Sequence, residues 1–233
     1  MKTLRTLVVI ATTALLAACG SSINEDIEVP AGATGASDGM TVNGSIRVGE
    51  GAETEDASFR TVNGKIRIGE GAKVSDCATV NGKVELGRNS QARSVQTVNG
   101  SIHAGPNVRI NGEIRLVNGD VRLDDGAVVS GSITTINGEI ETRGSEIGGD
   151  VSNVHGDMLL TDGSLVNGRV IVREEKGTVG SEVPRIVIGP NTRVLGGLEF
   201  ERPVKLYVHD SASVGEIVGA DPIRFSGDRP DQG

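Results

Sequence analysis

The sequence predicts an all-β chain: one domain, a parallel β-helix of triangular coils about 18–20 residues long. Three observations predict it. A Thr-Val-Asn-Gly motif recurs at steps of 18 to 20 residues, with its asparagine at Asn43, Asn63, Asn81 and Asn99; Val-Asn-Gly at Asn118 and Ile-Asn-Gly at Asn137 continue it, and His155 takes the asparagine place of a further copy. A finer period of six runs inside that step, as in Val62, Ile68, Val74, Val80 and Leu86. Glycine is abundant, 34 of 233 residues, while aromatics are limited to three Phe and one Tyr. A thin core of Val and Ile needs no large rings.

The sides come first. Val62, Ile68, Val74, Val80, Leu86, Ala92 and Val98 are expected to point inward, with Ile66, Val84, Ile102 and Ile114 joining them. Ile66 and Ile68 flank an outward Arg67, the period of two that a strand imposes. Corners follow. One is Asn-Gly; the next is Gly-Glu-Gly, Gly-Arg-Asn, Gly-Pro-Asn or Asp-Asp-Gly; the third includes Asn111-Gly112 and Ser130-Gly131. These residues turn a chain sharply and tolerate positive φ. Asn-Gly between apolar residues is also a hairpin signal. A hairpin meander, however, has no need of like residues every 18 positions, whereas stacked coils do.

Stacking at about 4.8 Å turns residues 40–219 into nine or ten coils and a column of roughly 45 Å. Asn43, Asn63, Asn81, Asn99, Asn118 and Asn137 are expected to form a buried ladder, each amide bonding the next. His155 is read as a substitute in that ladder. Right-handed winding is the expected hand, because parallel crossovers are almost always right-handed. The hexad is similar to that of left-handed hexapeptide-repeat proteins. The Gly-rich repeat also resembles bactofilin-like, polymer-forming β-helix proteins, whose short coils are right-handed.

The chain's start addresses it. Lys2 and Arg5 precede an uncharged, mostly apolar run from Leu7 to Ala18. That run is too short for a membrane span and fits a secretory signal over residues 1–18. Leu16-Ala17-Ala18-Cys19 resembles the lipobox of bacterial lipoproteins. The resemblance implies cleavage before Cys19, a thioether lipid on its sulfur and an acylated new N-terminus. Gly20, where sorted lipoproteins retained at the inner membrane carry Asp, implies the outer membrane, on its periplasmic side, and leaves surface display open. Several acyl chains on one residue suffice for stable anchoring.

Residues 19–39, rich in Gly, Ala, Ser and acids, are expected to be a lipidated N-terminus and flexible linker with a reach of about 25 Å. Residues 172–184 interrupt the repeat and read as an extruded loop. Bulkier coils after it are expected to cap the column, and residues 220–233 to form a frayed tail.

Net charge is −8 for the full chain. Residues 1–18 hold Lys2 and Arg5 and no acid, so the mature chain stands at −10. Such a chain is a poor nucleic-acid partner and is repelled by anionic lipid, which leaves anchoring to Cys19. Cys77 is then the one remaining thiol. His103, His155 and His209 lack metal-ligand spacing, and Gly49-Glu50-Gly51 lacks the rest of a phosphate loop. The expectation is a non-catalytic scaffold without cofactor. Its partners are the lipid membrane, through Cys19, and either further copies of itself or an envelope protein or polysaccharide. The rival is a carbohydrate-active or acyl-transferring β-helix enzyme, with His103 the residue an acyltransferase would use.

Overall fold

The computed structural model describes residues 20–174 and 182–230, and they contain no helix. Strands succeed one another three to a coil, and each pairs in parallel with its equivalent in the next. Among the described residues they make sheets of 11, 11 and 9 strands. The first face runs from Gly20–Ser22 to Ile217–Val218, the second from Ile27–Val29 to Ile223–Phe225, and the third from Glu53–Thr54 to Ser213–Val214. The fold is the expected parallel β-solenoid. Val84 lies between Ile66 and Ile102, each 18 positions away, so sequence period and coil are the same thing.

The core is a stack of aliphatic rows. Ile46, Ile66, Val84, Ile102, Val121 and Ile140 form one of them, each at most 1% exposed. Phe59 is the largest fully buried side chain, and its ring lies against Gly39, where a Cβ would sit 3.0 Å from it. The corner between the second and third faces uses the left-handed region: Gly51, Gly71, Asn89, Asn107 and Gly126 have φ between 57° and 73°. Gly and Asn share that place because both tolerate that conformation.

The first face differs in phase from the expectation. Val62, Val80 and Val98 point outward at 37%, 38% and 39% exposure, while Thr61, Thr79 and Thr97 are buried at 4%. Alternation along Asp76–Asn81 puts Cys77 and Thr79 inside and leaves Val80 out. Hydrophobicity selects the valine, but the threonine hydroxyl has a partner inside. Thr61 Oγ1 donates to the Gly44 carbonyl at 2.8 Å, and Thr79 Oγ1 to that of Gly64 at 3.1 Å. A buried hydroxyl so bonded carries little penalty. Thr135 is buried in the same row, and its Oγ1 has no partner. Thr135→Val is therefore expected to raise stability by about 1 kcal/mol, and Thr79→Val to lower it by a similar amount. Urea unfolding of the two variants checks the opposite signs.

Both ends extend the column beyond 40–219. Gly20–Ser22 pairs with Gly39–Thr41, Ile27–Val29 pairs with Ile46–Val48, and Thr34 bridges to Glu53. The segment expected as a flexible linker is thus the first coil. An end coil covers the core from one side only, so Ile27, Val29 and Ala33 suffice for it. At the other end Ile223–Phe225 pairs with Lys205–His209, and Pro230 is buried. The expected tail is strand up to Phe225 and then doubles back, with Arg185 Nη2 donating to the Pro230 carbonyl at 3.4 Å. The interruption at 172–184 leaves after Val170–Val172 and returns at Arg185–Ile188. It therefore emerges from the Asn-Gly corner, above His155. Its residues 175–181 lie outside the described ones.

Candidate functional site

The corner between the first and second faces carries the repeated tetrad, and each member has a distinct task. At Thr61, Thr79 and Thr97 the threonine hydroxyl points in and satisfies a glycine carbonyl of the coil below. The asparagine points out. Asn63 Nδ2 donates to Asn43 Oδ1 and Asn81 Nδ2 to Asn63 Oδ1, both at 2.8 Å, and the same bond links Asn99, Asn118 and Asn137 in turn. Asn43 reaches one coil further, to Asn24 Oδ1 at 2.7 Å. These bonds are exposed, where a buried ladder was expected. The glycine admits the coil below: a Cβ on Gly64 would lie 1.9 Å from the Gly44 carbonyl oxygen.

The second member, the β-branched residue, stands in the open. Val42, Val62, Val80, Val98 and Ile136 are 36–39% exposed, Ile23 is exposed at the first coil, and Val117 and Val154 are half-buried. The corner is thus an apolar stripe beside an amide ladder, one pair per coil. It stops at His155, whose Nδ1 lies 2.8 Å from Arg202 Nη1. Arg202 also donates to the carbonyls of Val154 and Glu182, which ties the returning loop to the corner.

On the second-face side of the ladder runs a row of polar residues that changes sign. Lys65 and Lys83 lie in the lower half; Asp120, Glu139 and Asp157 lie in the upper half; Ser101 sits between them. Consecutive members are aligned by backbone bonds, Ile66 N to Lys83 O, Val84 N to Ser101 O, Ile102 N to Asp120 O, and Val121 N to Glu139 O. Glu139 is held above its ordinary pKa, first by burial and then by the carboxylates of Glu141, Asp120 and Asp157. The upper half is crowded with negative charge.

The middle of the second face is mostly ion-paired along the column. Arg67 Nη2 meets Glu85 Oε2 at 3.0 Å, and Lys65 Nζ meets Glu85 Oε1 at 2.9 Å. The Lys65 hydrogen bond, opposed by burial and helped by Arg67, holds the Glu85 carboxyl below its usual range. His103 Nε2 lies 2.8 Å from Asp124 Oδ2, and Arg122 Nε lies 3.3 Å from the other oxygen. Burial pushes the Asp124 pKa up, but His103 and Arg122 together bring it below the usual value. Asp124 so shared acts as a member of a charge network. A shallow groove of about 290 Å³ runs past Ser101, His103 and Glu139. A larger hollow of about 730 Å³ lies between Leu159 and Val187 on the face and Asp228, Arg229 and Pro230 of the returning C-terminal segment. No motif announces that hollow, because the segment returns through contacts between positions distant in the chain, such as Arg185 with Pro230.

Cys19, the expected lipid site, lies outside the described residues. Cys77 is buried, with its thiol pushed up to about 12 by burial and by the neighbouring Asp76. Among the described residues no three metal-ligating side chains gather, and no helix is long and apolar enough to cross a membrane. No family model matches the chain, and neither a curated protein nor a solved structure matches it.

Proposed function

We propose that this chain is a lipoprotein of the bacterial cell envelope, held at the outer membrane through an acylated Cys19, where its column serves as a structural or interaction scaffold and not as a catalyst. The observation that carries the reading is the strand at Gly20–Ser22. Directly after the lipobox cysteine the chain is already paired into the first coil, so the proposed anchor joins the column without a spacer. Such a junction suits a load-bearing or surface-presenting rod better than an enzyme that must range over substrate. Also in support, the outward charges of the second face are largely paired with one another along the column, as on a solvated surface.

Intact-mass analysis of the protein extracted from membranes tests the anchor. The expected result is a chain that begins at Cys19 and carries thioether-linked and amide-linked acyl groups. A chain with an unmodified Cys19, or one that retains residues 1–18, overturns it. Density fractionation of the envelope places the protein at one membrane or the other, and cross-linked pull-down from intact envelopes reports its partner.

A further inference from the structure

We propose that two copies of this chain pair side by side along the Val-Asn corner, antiparallel, about a two-fold axis at the level of Ser101. The inference goes beyond the scaffold reading and does not depend on the anchor.

Three observations carry it. The first is the stripe of exposed Val and Ile, which continues coil after coil at a position that the core does not use. Elsewhere on the first face the outward residues are mixed, as in Met40, Arg60, Ala78 and Gln96. A contiguous apolar strip on an otherwise polar surface marks a contact. The second is spacing. The stripe repeats at the strand separation of about 4.8 Å, and a second copy matches that repeat along its whole length.

The third is charge, and it selects the orientation. A two-fold axis perpendicular to the column sets the polar row of one copy against the same row of the other, reversed. With Ser101 on the axis, Lys83 of each copy meets Asp120 of its mate, and Lys65 meets Glu139. Ser45 meets Asp157. No like charges oppose. The valines fall in step: Val98 meets Val98, Val80 meets Val117, and Val62 meets Ile136. Parallel pairing instead turns the polar row toward the outward row of the first face, which sets Lys65 against Arg60. Glu139, raised first by burial and then by its acidic neighbours, stands in a charge excess that an incoming lysine relieves. Two anchored chains paired in this way lie along a membrane, since their first coils are at opposite ends of the pair.

The test uses the full chain in detergent, sized by sedimentation over a range of concentrations. The expected result is a dimer. Lys65→Glu with Lys83→Glu should raise its dissociation constant at least about a hundredfold, because four attractive contacts become repulsive. Adding Asp120→Lys and Glu139→Lys to that variant should restore the dimer. Ser101→Cys should be joined to its mate by a short bismaleimide. Ser45→Cys should not, because two such residues lie about 29 Å apart, six coils at the strand spacing. A monomer at every concentration overturns the proposal, as does cross-linking at Ser45 equal to that at Ser101. End-to-end filaments indifferent to the charge reversals would leave the scaffold reading intact and overturn this one.

Discussion

Gly100→Ala is expected to cost more than about 3 kcal/mol and to open the middle of the column. A Cβ at Gly100 would lie 1.8 Å from the Gly82 carbonyl oxygen and 2.6 Å from its carbon. What stands in the way is backbone, not a flexible side chain that can swing aside. Gly82 stands in the same relation to Gly64, and Gly64 to Gly44, each with 1.9 Å to the carbonyl oxygen below. Relief requires two coils to part at that corner, and their separation is set by the parallel ladder on both adjoining faces. The matching control is Gly51→Ala. Gly51 has φ +62°, but nothing lies within 4 Å of its Cβ position. Only the conformational term applies there, about 1–2 kcal/mol. Urea unfolding followed by far-ultraviolet circular dichroism separates the two. Equal losses would mean that the glycine is present for its φ alone and that the close approach of coils costs little. In a solenoid each coil touches only its neighbours, so Gly100→Ala is also expected to broaden the transition as the two halves uncouple.

That glycine shows why so much of the fold was legible in the chain. A stacked coil repeats its environment every 18 to 20 residues, so any requirement of the stack is written many times over. The asparagines and glycines of the corner read as a ladder and a turn from their spacing alone, and the residues that bond are those asparagines. What could not be read follows from three kinds of physics. Burial of Thr79 in place of Val80 depends on a hydrogen bond to the coil below, and a hydropathy pattern has no term for that. The first coil from Gly20 to Gly39 covers the core from one side only, so it needs few apolar residues, and its sparse pattern reads as a tether. The C-terminal segment returns through contacts between distant positions, Arg185 with Pro230 among them, and nothing repeats to announce it.

The candidate site was less legible than the fold for a related reason. Residues chosen for the stack obscure residues chosen for a partner. Each valine of the corner looks like core because valine usually is. It becomes informative only when the alternation of the strand turns it outward. Likewise the sign change from Lys65 and Lys83 to Asp120, Glu139 and Asp157 is spread over coils and is diluted in the linear chain by residues of other faces. Stacking brings those side chains into one row, and only then does the reversal about Ser101 exist as a pattern.

Alkaline solution is expected to weaken the fold by up to about 4 kcal/mol through one thiol, Cys77. Its side chain lies in the strand Asp76–Asn81 between Phe59 and Val95, which are in register with it in the coils below and above. Only 1% of it is exposed. Burial, with a smaller contribution from Asp76, raises its pKa from 9.0 to about 12. The folded pKa lies above the unfolded one, so the folded state disfavours the thiolate. Below about pH 8 both states hold the proton and the thiol has no effect on stability. Between pH 9 and 12 the unfolded chain loses its proton and the folded chain keeps it. Stability then falls with a slope of about 1.4 kcal/mol per pH unit. Cys77→Ala is the comparison that isolates the thiol, since every other group of the chain is unchanged in it. At pH 7 that variant is expected to be less stable by about 1 kcal/mol, the cost of the small cavity it leaves. As the pH rises through 9 the gap should close and then reverse, since only the unsubstituted chain carries the extra slope. Urea midpoints of both proteins from pH 7 to 10.5 decide the matter. A constant gap would mean that the thiol meets water in the folded state, and with it that the wall of the column between Phe59 and Val95 is open.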